Sequence, residues 1–227
     1  MAKTKEIDMI NGPLLPKLLL FSLPLAATGI LQLLFNAADV IVVGKFAGST
    51  SLAAVGATSS LINLLTGAFI GISVGVNILA ARYIGCRDNG GISRTVHSAI
   101  MLSLLLGIVT FLIGWFLSTP MLELMGTPED VLALSSLYLR IYFIGVPGAL
   151  IYNFAAAILR AYGDTRRPLL FLAISGVVNI FLNLFFVIVC KLDVAGVALA
   201  STIAQCVSAG LILRALTKVQ DCYALDF

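Results

Sequence analysis

Charged residues are scarce in this chain of 227 residues. They make up 11% of the sequence, whereas 60% of its residues are hydrophobic and the mean hydropathy is +1.07. Soluble domains carry about 25% charged residues, so the composition excludes an ordinary soluble domain and predicts an integral membrane protein. The net charge of +3 comes from basic residues spread over the ends of the apolar segments, and we expect no nucleic-acid partner.

Catalytic and metal-binding motifs are also missing from the sequence. The four cysteines have neither CxxC nor metal-ligand spacing, and His97 is the one histidine. No glycine-rich nucleotide loop, nucleophile elbow or HExxH sequence occurs. We therefore expect no enzyme activity, no organic cofactor and no structural metal.

Six apolar segments are long enough to cross a bilayer, which takes about 20 residues per helix. They lie at about 15–43, 53–83, 95–117, 132–158, 168–190 and 194–216. The segments that connect them are short and leave no room for an inserted soluble domain. The sequence therefore predicts an all-α polytopic membrane protein with six transmembrane helices.

Basic residues are distributed unevenly between the two ends of these spans. If the N-terminus is cytoplasmic, 11 of the 14 basic residues lie on the cytoplasmic side: Lys3, Lys5, Lys17, Arg82, Arg87, Arg94, Arg160, Arg166, Arg167, Arg214 and Lys218. The outer loops hold Lys45 and Lys191, and Arg140 falls within the fourth span. Because cytoplasmic loops carry an excess of Lys and Arg, we expect both termini in the cytoplasm.

Asp39 is an acidic residue inside an otherwise uncharged part of the first span. A carboxylate in a membrane helix costs about 2.5–3.5 kcal/mol on insertion scales, and such residues usually have a function. Gln32 and Asn36 precede it at spacings of four and three, so the three side chains share one face of the helix. Burial disfavours a free carboxylate, which makes H⁺ or Na⁺ a natural partner. Pro24 in the same helix is a candidate hinge, since proline removes a helical hydrogen bond.

Polar side chains line other predicted spans at helical spacing. Asn63 lies on the second span, Asn179 and Asn183 are four apart on the fifth, and Gln205 shares a face with Ser201 on the sixth. Amides in hydrocarbon need partners, so these faces point either to neighbouring helices or into a wet cavity. Both interpretations stay open for each amide taken singly.

Aromatic residues within the spans are candidates for the walls of a pocket for a flat cation. They are Phe21, Phe35, Tyr138, Tyr142 and Phe154. Core packing and contact with lipid are the alternatives for each of them. Of this group we retain Tyr138 as a cavity-lining candidate, together with Gln32, Asn36, Asn63 and Gln205.

Several stretches of the sequence resemble the multidrug and toxic compound extrusion (MATE) transporters. They are LPL at 23–25, LFNAADVIVVG at 34–44, LAAVG at 52–56, LRAYGDTRRP at 159–168, VNIFLN at 178–183 and GVALAST at 196–202. The resemblance covers nearly the whole chain. It implies one lobe of a twelve-helix, two-lobe transporter that exchanges H⁺ or Na⁺ for cationic or amphipathic drugs by alternating access.

The resemblance also implies roles for individual residues. Asp39 matches the coupling carboxylate of the family's first helix, and Pro24 matches its bending proline. Asn179, Asn183 and Thr202 match positions of the cation pocket. Many members carry Asp where this chain has Asn183, so we expect coupling to rest on one carboxylate and favour H⁺ over Na⁺.

The length of the chain is that of one lobe, and we expect residues 217–227 to begin the cytoplasmic linker to a second lobe. The predicted setting is the plasma (inner) membrane, with the bilayer, a small cationic or amphipathic substrate and the other lobe as partners. Two alternatives stay open. One is a lipid-linked oligosaccharide flippase or exporter of the same superfamily, although a basic cavity is expected there and Arg140 alone lies within a span. The other is a truncated membrane module that does not transport.

Overall fold

A computed structural model of the protein describes residues 14–217. That part of the chain is helical apart from short turns, and it contains six helices long and apolar enough to cross a membrane. These are α1 (Leu14–Phe46), α2 (Gly48–Gly85), α3 (Asn89–Leu124), α4 (Glu129–Ala161), α5 (Arg166–Leu184) and α6 (Asp193–Thr217). A π-helical segment, Phe185–Val189, continues α5. The predicted all-α fold with six spans is confirmed.

Most helices extend beyond the limits expected from the apolar segments. The largest difference is in α3, which has 36 residues and runs through Pro120 to Leu124, whereas the predicted span ends at 117. Hydropathy identifies only the part of a helix that lies in hydrocarbon. The helical hydrogen bonds of the backbone continue into the polar ends, so the helix is longer than the apolar segment. All but the first residue of the expected linker, 217–227, lies outside the described residues.

The turns between helices are very short. Only Ala47 separates α1 from α2, and Gly48 has a φ of +88°, a conformation that is readily adopted without a β-carbon. Asp88 caps the start of α3 by accepting a hydrogen bond from the backbone nitrogen of Gly91 at 3.0 Å. Short connections of this kind place consecutive helices side by side and antiparallel.

Helix α4 forms the centre of the bundle and packs against α2, α3 and α6. In α4 and α6, 56% of the most apolar stretch is buried, against 6% in α1 and 11% in α2. The close approach of α3 to α4 depends on Gly107, where an added β-carbon would lie 2.6 Å from the Cα of Pro147. Helices α1 and α2 therefore present broad apolar surfaces at the edge of the described bundle.

A ridge of glycines on α2 lies on this open side. Gly67, Gly71 and Gly75 follow the spacing that permits close helix contact, yet no described atom lies within 4 Å of a β-carbon built on any of them. The contact that this spacing predicts is therefore not made within residues 14–217.

Candidate functional site

Asp39 lies where α1 meets α5 and α6. Its Oδ1 accepts a hydrogen bond from the Nδ2 of Asn183, and its Oδ2 accepts a long one, 3.4 Å, from the hydroxyl of Ser201. The carboxylate is half-buried, whereas Asn183 is completely buried. The two oxygens thus face donors from two different helices.

Asn179 extends this cluster by one turn of α5. Its Nδ2 donates to the hydroxyl of Ser201 at 3.3 Å, and its Oδ1 accepts from the Nδ2 of Asn183 at 3.2 Å. The spacing of four residues stacks the two amides on one face of α5, and the tight turn before α6 brings Ser201 alongside. The result is a closed set of hydrogen bonds around one carboxylate.

One oxygen in the cluster lacks a partner. The Oδ1 of Asn183 is buried and accepts no hydrogen bond from any described residue. A buried amide oxygen without a donor is uncommon and costs about 1–3 kcal/mol. It leaves an acceptor beside Asp39 that a proton donor or a cation can use.

The approach of α1 to α5 depends on Gly176. A β-carbon there would overlap the ring of Phe35, which lies one turn before Asp39 on α1. Phe35 therefore packs against the face of α5 that carries Asn179 and Asn183. This contact holds the carboxylate at the height of the two amides.

Two tyrosines of α4 lie beside the cluster. Tyr138 and Tyr142 have stacked rings with centroids 6.2 Å apart, and Tyr138 belongs to the same buried cluster as Val42 and Val43 of α1. The phenol of Tyr142 also faces the side chains of Thr66 and Gln205. Tyr142 therefore stacks on Tyr138, one of the residues predicted to line the cavity.

The remaining predicted residues lie apart from the carboxylate. The hydroxyl of Thr202 donates to the backbone oxygen of Ile141 at 2.9 Å, so it joins α6 to α4. Gln32 is half-buried, and Asn36 and Asn63 are exposed on the open side of the bundle. Pro24 lies within a continuous α1, where its backbone oxygen accepts a hydrogen bond from Thr28 at 2.8 Å. The roles predicted for these residues stay predictions.

Sequence reasoning did not select Ser201, Tyr142 or Thr66 as site residues. Ser201 was recognised only as a member of a polar face on α6, and its four-residue spacing from Gln205 was the one signal. Thr66 lies three residues after Asn63 on a polar face of the second span, and Tyr142 is one of the aromatic candidates for a pocket wall, but neither pattern links them to Asp39. The approach of Thr66 to Tyr142 follows from the packing of α2 against α4, which the sequence of either helix alone does not specify.

The chemistry of the cluster suits a proton or a small cation. No group of three or more His, Cys, Asp or Glu side chains among the described residues could hold a transition metal. Asp39 has no ion-pair partner within residues 14–217, where the one salt bridge joins Arg167 to Asp164 at 3.0 Å. The carboxylate is therefore stabilised by neutral hydrogen-bond donors rather than by a basic side chain.

Comparison with known proteins gives consistent matches. The family model MatE matches residues 24–185. The chain is 31% identical over 201 residues to the probable multidrug resistance protein YpnP of Bacillus subtilis (strain 168), covering 88% of this chain and 45% of that protein. It is 34% identical over 163 residues to the probable multidrug resistance protein YoeA of the same organism, covering 72% and 35%.

Solved structures match over nearly the whole chain. The crystal structure of MATE in the bent conformation superposes with a TM-score of 0.90 at 27% identity, covering 98% of this chain and 50% of that chain. The chain thus spans about half the length of YpnP and of this structure.

Proposed function

Because this chain belongs to the MATE family of membrane transporters, we propose that it forms the N-terminal lobe of a cation-coupled antiporter. The antiporter would export cationic or amphipathic drugs across the plasma (inner) membrane, with both ends of this lobe in the cytoplasm. The observation that carries the proposal is the cluster at Asp39: a half-buried carboxylate within a membrane helix, held by Asn183 and Ser201.

Protonation of Asp39 would rearrange this cluster. As a carboxylate, Asp39 only accepts hydrogen bonds, and both donors point at it. As a carboxylic acid it becomes a donor, and the buried Oδ1 of Asn183 offers it an acceptor without a competing partner. The same amide can then turn or shift, so the contact between α1 and α5 depends on the protonation state.

A cationic drug and a proton would compete for the same negative site. A drug near the open side of α1 is attracted by the ionised carboxylate, and protonation removes that attraction. The predicted hinge at Pro24 would let the inner part of α1 respond to the new hydrogen bonds. Binding of one cation would therefore release the other, as alternating exchange requires.

H⁺ is the favoured ion, with Na⁺ as the alternative. Na⁺ prefers several oxygen ligands, as hard cations do. Here one carboxylate, two amide oxygens and one hydroxyl face each other, and the Oδ1 of Asn179 already accepts from Asn183. A second carboxylate at position 183 would make a stronger Na⁺ site.

The proposed partner of this lobe is a second six-helix lobe, which the 227 residues do not include.

Drug accumulation in cells that express the complete two-lobe protein tests this function. The proton and sodium gradients are collapsed separately, and Asp39→Asn is compared with Asp193→Asn, which removes an exposed acid at the start of α6. We expect efflux to depend on the proton gradient, to be lost in Asp39→Asn and to persist in Asp193→Asn.

Three other results would contradict parts of the proposed function. If efflux depended on the sodium gradient alone, the coupling ion would be Na⁺ rather than H⁺. Efflux that persists in Asp39→Asn would disprove the coupling role. Absence of drug efflux from a well-expressed wild-type protein would favour another substrate class of the same superfamily.

A further inference from the structure

Arg140 is a charged residue on an apolar surface of the bundle, away from the cluster at Asp39. Its side chain is exposed on α4, and the neighbouring side chains Leu137 and Ile144 are exposed to 44% and 45%. On α3 the adjacent Trp115 and Phe116 are exposed to 41% and 69%. No carboxylate among the described residues forms an ion pair with Arg140.

Two hydroxyls of α3 hold the guanidinium from one side. Its Nε donates to the hydroxyl of Ser118 at 3.2 Å, and its Nη2 donates to that of Thr119 at 3.3 Å. The hydroxyl of Thr119 donates its own hydrogen to Ser136 at 3.2 Å, so its lone pairs face Arg140. The guanidinium is therefore fixed in orientation along its Nε–Nη2 edge.

The opposite edge of the guanidinium remains available. Arginine has five N–H donors, and these two bonds use one on Nε and one on Nη2. The donors of Nη1 and the second donor of Nη2 form the end-on fork, which matches two oxygens of a phosphate. No described residue accepts a hydrogen bond from this fork.

The position of Arg140 along α4 corresponds to the edge of the hydrocarbon. It lies 20 residues from Arg160, which is about 30 Å of helix and about the thickness of the hydrocarbon core. On α3, Ser118 and Thr119 end the apolar run 111–117, and Glu123 is the next charged residue after Arg94. Trp115, the single tryptophan of the chain, lies one turn from Thr119, as expected for aromatic residues at the membrane–water interface.

We propose that Arg140, Ser118 and Thr119 form a binding site for the phosphate of a membrane phospholipid at this interface, with the acyl chains along Trp115 and Ile144. Charge complementarity supports a phosphate, because an exposed guanidinium beside hydrocarbon needs an anion. The exposed apolar side chains around it support a lipid rather than a free phosphate. The site uses different residues from the coupling cluster, so each can be tested without the other.

The test is lipid binding to the complete, purified protein in detergent. Native mass spectrometry during titration with phosphatidylglycerol measures affinity for wild type, Arg140→Gln and Arg140→Lys, with Arg166→Gln as the control at an exposed arginine of α5. We expect Arg140→Gln to weaken phosphatidylglycerol binding about tenfold or more, because charge-assisted hydrogen bonds are lost. Arg140→Lys keeps the charge and loses the fork, so its binding should also weaken, whereas Arg166→Gln should match wild type.

Several results would overturn the proposal. One is equal phosphatidylglycerol affinity in wild type and Arg140→Gln, or in wild type and Arg140→Lys if the glutamine variant does not fold. Another is thermal stabilisation of wild type by inorganic phosphate alone that equals stabilisation by the lipid. A third is a phosphatidylglycerol-induced rise in melting temperature that is the same for wild type and Arg140→Gln, since the lipid would then not bind through the guanidinium.

Discussion

Replacing Gly107 by alanine is expected to weaken the contact between α3 and α4. The new β-carbon would lie 2.6 Å from the Cα and 3.0 Å from the Cβ of Pro147. Carbon atoms pack best at about 3.5–4.0 Å, so the two helices would have to separate by about 1 Å. The obstacle is backbone, and no rotation of a side chain relieves it.

The magnitude follows from two opposing effects. Alanine in a helix interior gains about 0.5–1 kcal/mol over glycine. Forced overpacking costs about 1–3 kcal/mol, and more where backbone must move along a whole interface. We expect a net loss of about 2 kcal/mol, which lowers the melting temperature by about 4–8 °C for a domain of this size.

The assay is thermal unfolding in detergent, followed by the fluorescence of Trp115, which lies two turns from Gly107 on α3. The matched control is Gly210→Ala in α6, because no atom of residues 14–217 beyond its chain neighbours and its own helix backbone lies within 4 Å of a β-carbon built there. The control should be as stable as wild type or slightly more stable. Equal melting temperatures for the two variants would refute the reasoning.

Three further changes test other parts of the structure. Asp39→Asn should melt within a few degrees of wild type or higher, because it removes an insertion cost of about 2.5–3.5 kcal/mol and loses charge-assisted bonds of similar size; a large drop in detergent would contradict this. Tyr152→Phe removes the hydrogen bond from the buried phenol to the backbone oxygen of Pro168, 2.9 Å long, and should cost about 0.5–1.5 kcal/mol in thermal unfolding, so an unchanged melting temperature would count against that bond. Asn77→Leu removes the 2.8 Å bond to the backbone oxygen of Ala157 that links α2 to α4; it should destabilise by about 1 kcal/mol, and increased resistance to SDS-induced unfolding would argue against the link.

The fold could be predicted from sequence because the bilayer imposes it. Apolar runs of about 20 residues separated by charged turns leave few alternatives to a bundle of six helices. The ends of the helices were harder to predict from the sequence. The predicted third span ends at 117, yet α3 continues through Pro120 to Leu124.

The cluster around Asp39 was predictable in part. Asn179 and Asn183 lie on one face at a spacing of four, and the resemblance to the MATE family gave them a common site with Asp39. The resemblance assigns Thr202 to the same site; its hydroxyl bonds to the backbone of α4, and its role in cation binding stays a prediction. Its neighbour Ser201 is the one that reaches Asp39. Consecutive residues of an α-helix point about 100° apart. Which of these two side chains faces Asp39 therefore depends on how α6 is rotated relative to α5.

The unequal lengths of the helices have a consequence for how the bundle sits in a bilayer. The span Arg166–Val189 has 24 residues and α6 has 25, about 36–38 Å each, whereas α3 has 36 residues, about 54 Å. The two shorter spans exceed the hydrocarbon thickness by little, so hydrophobic mismatch limits their tilt. Helix α3 must either tilt steeply or extend into water at one end. A change in bilayer thickness would therefore act first on the pair formed by α5 and α6, which carries Asn179, Asn183 and Ser201.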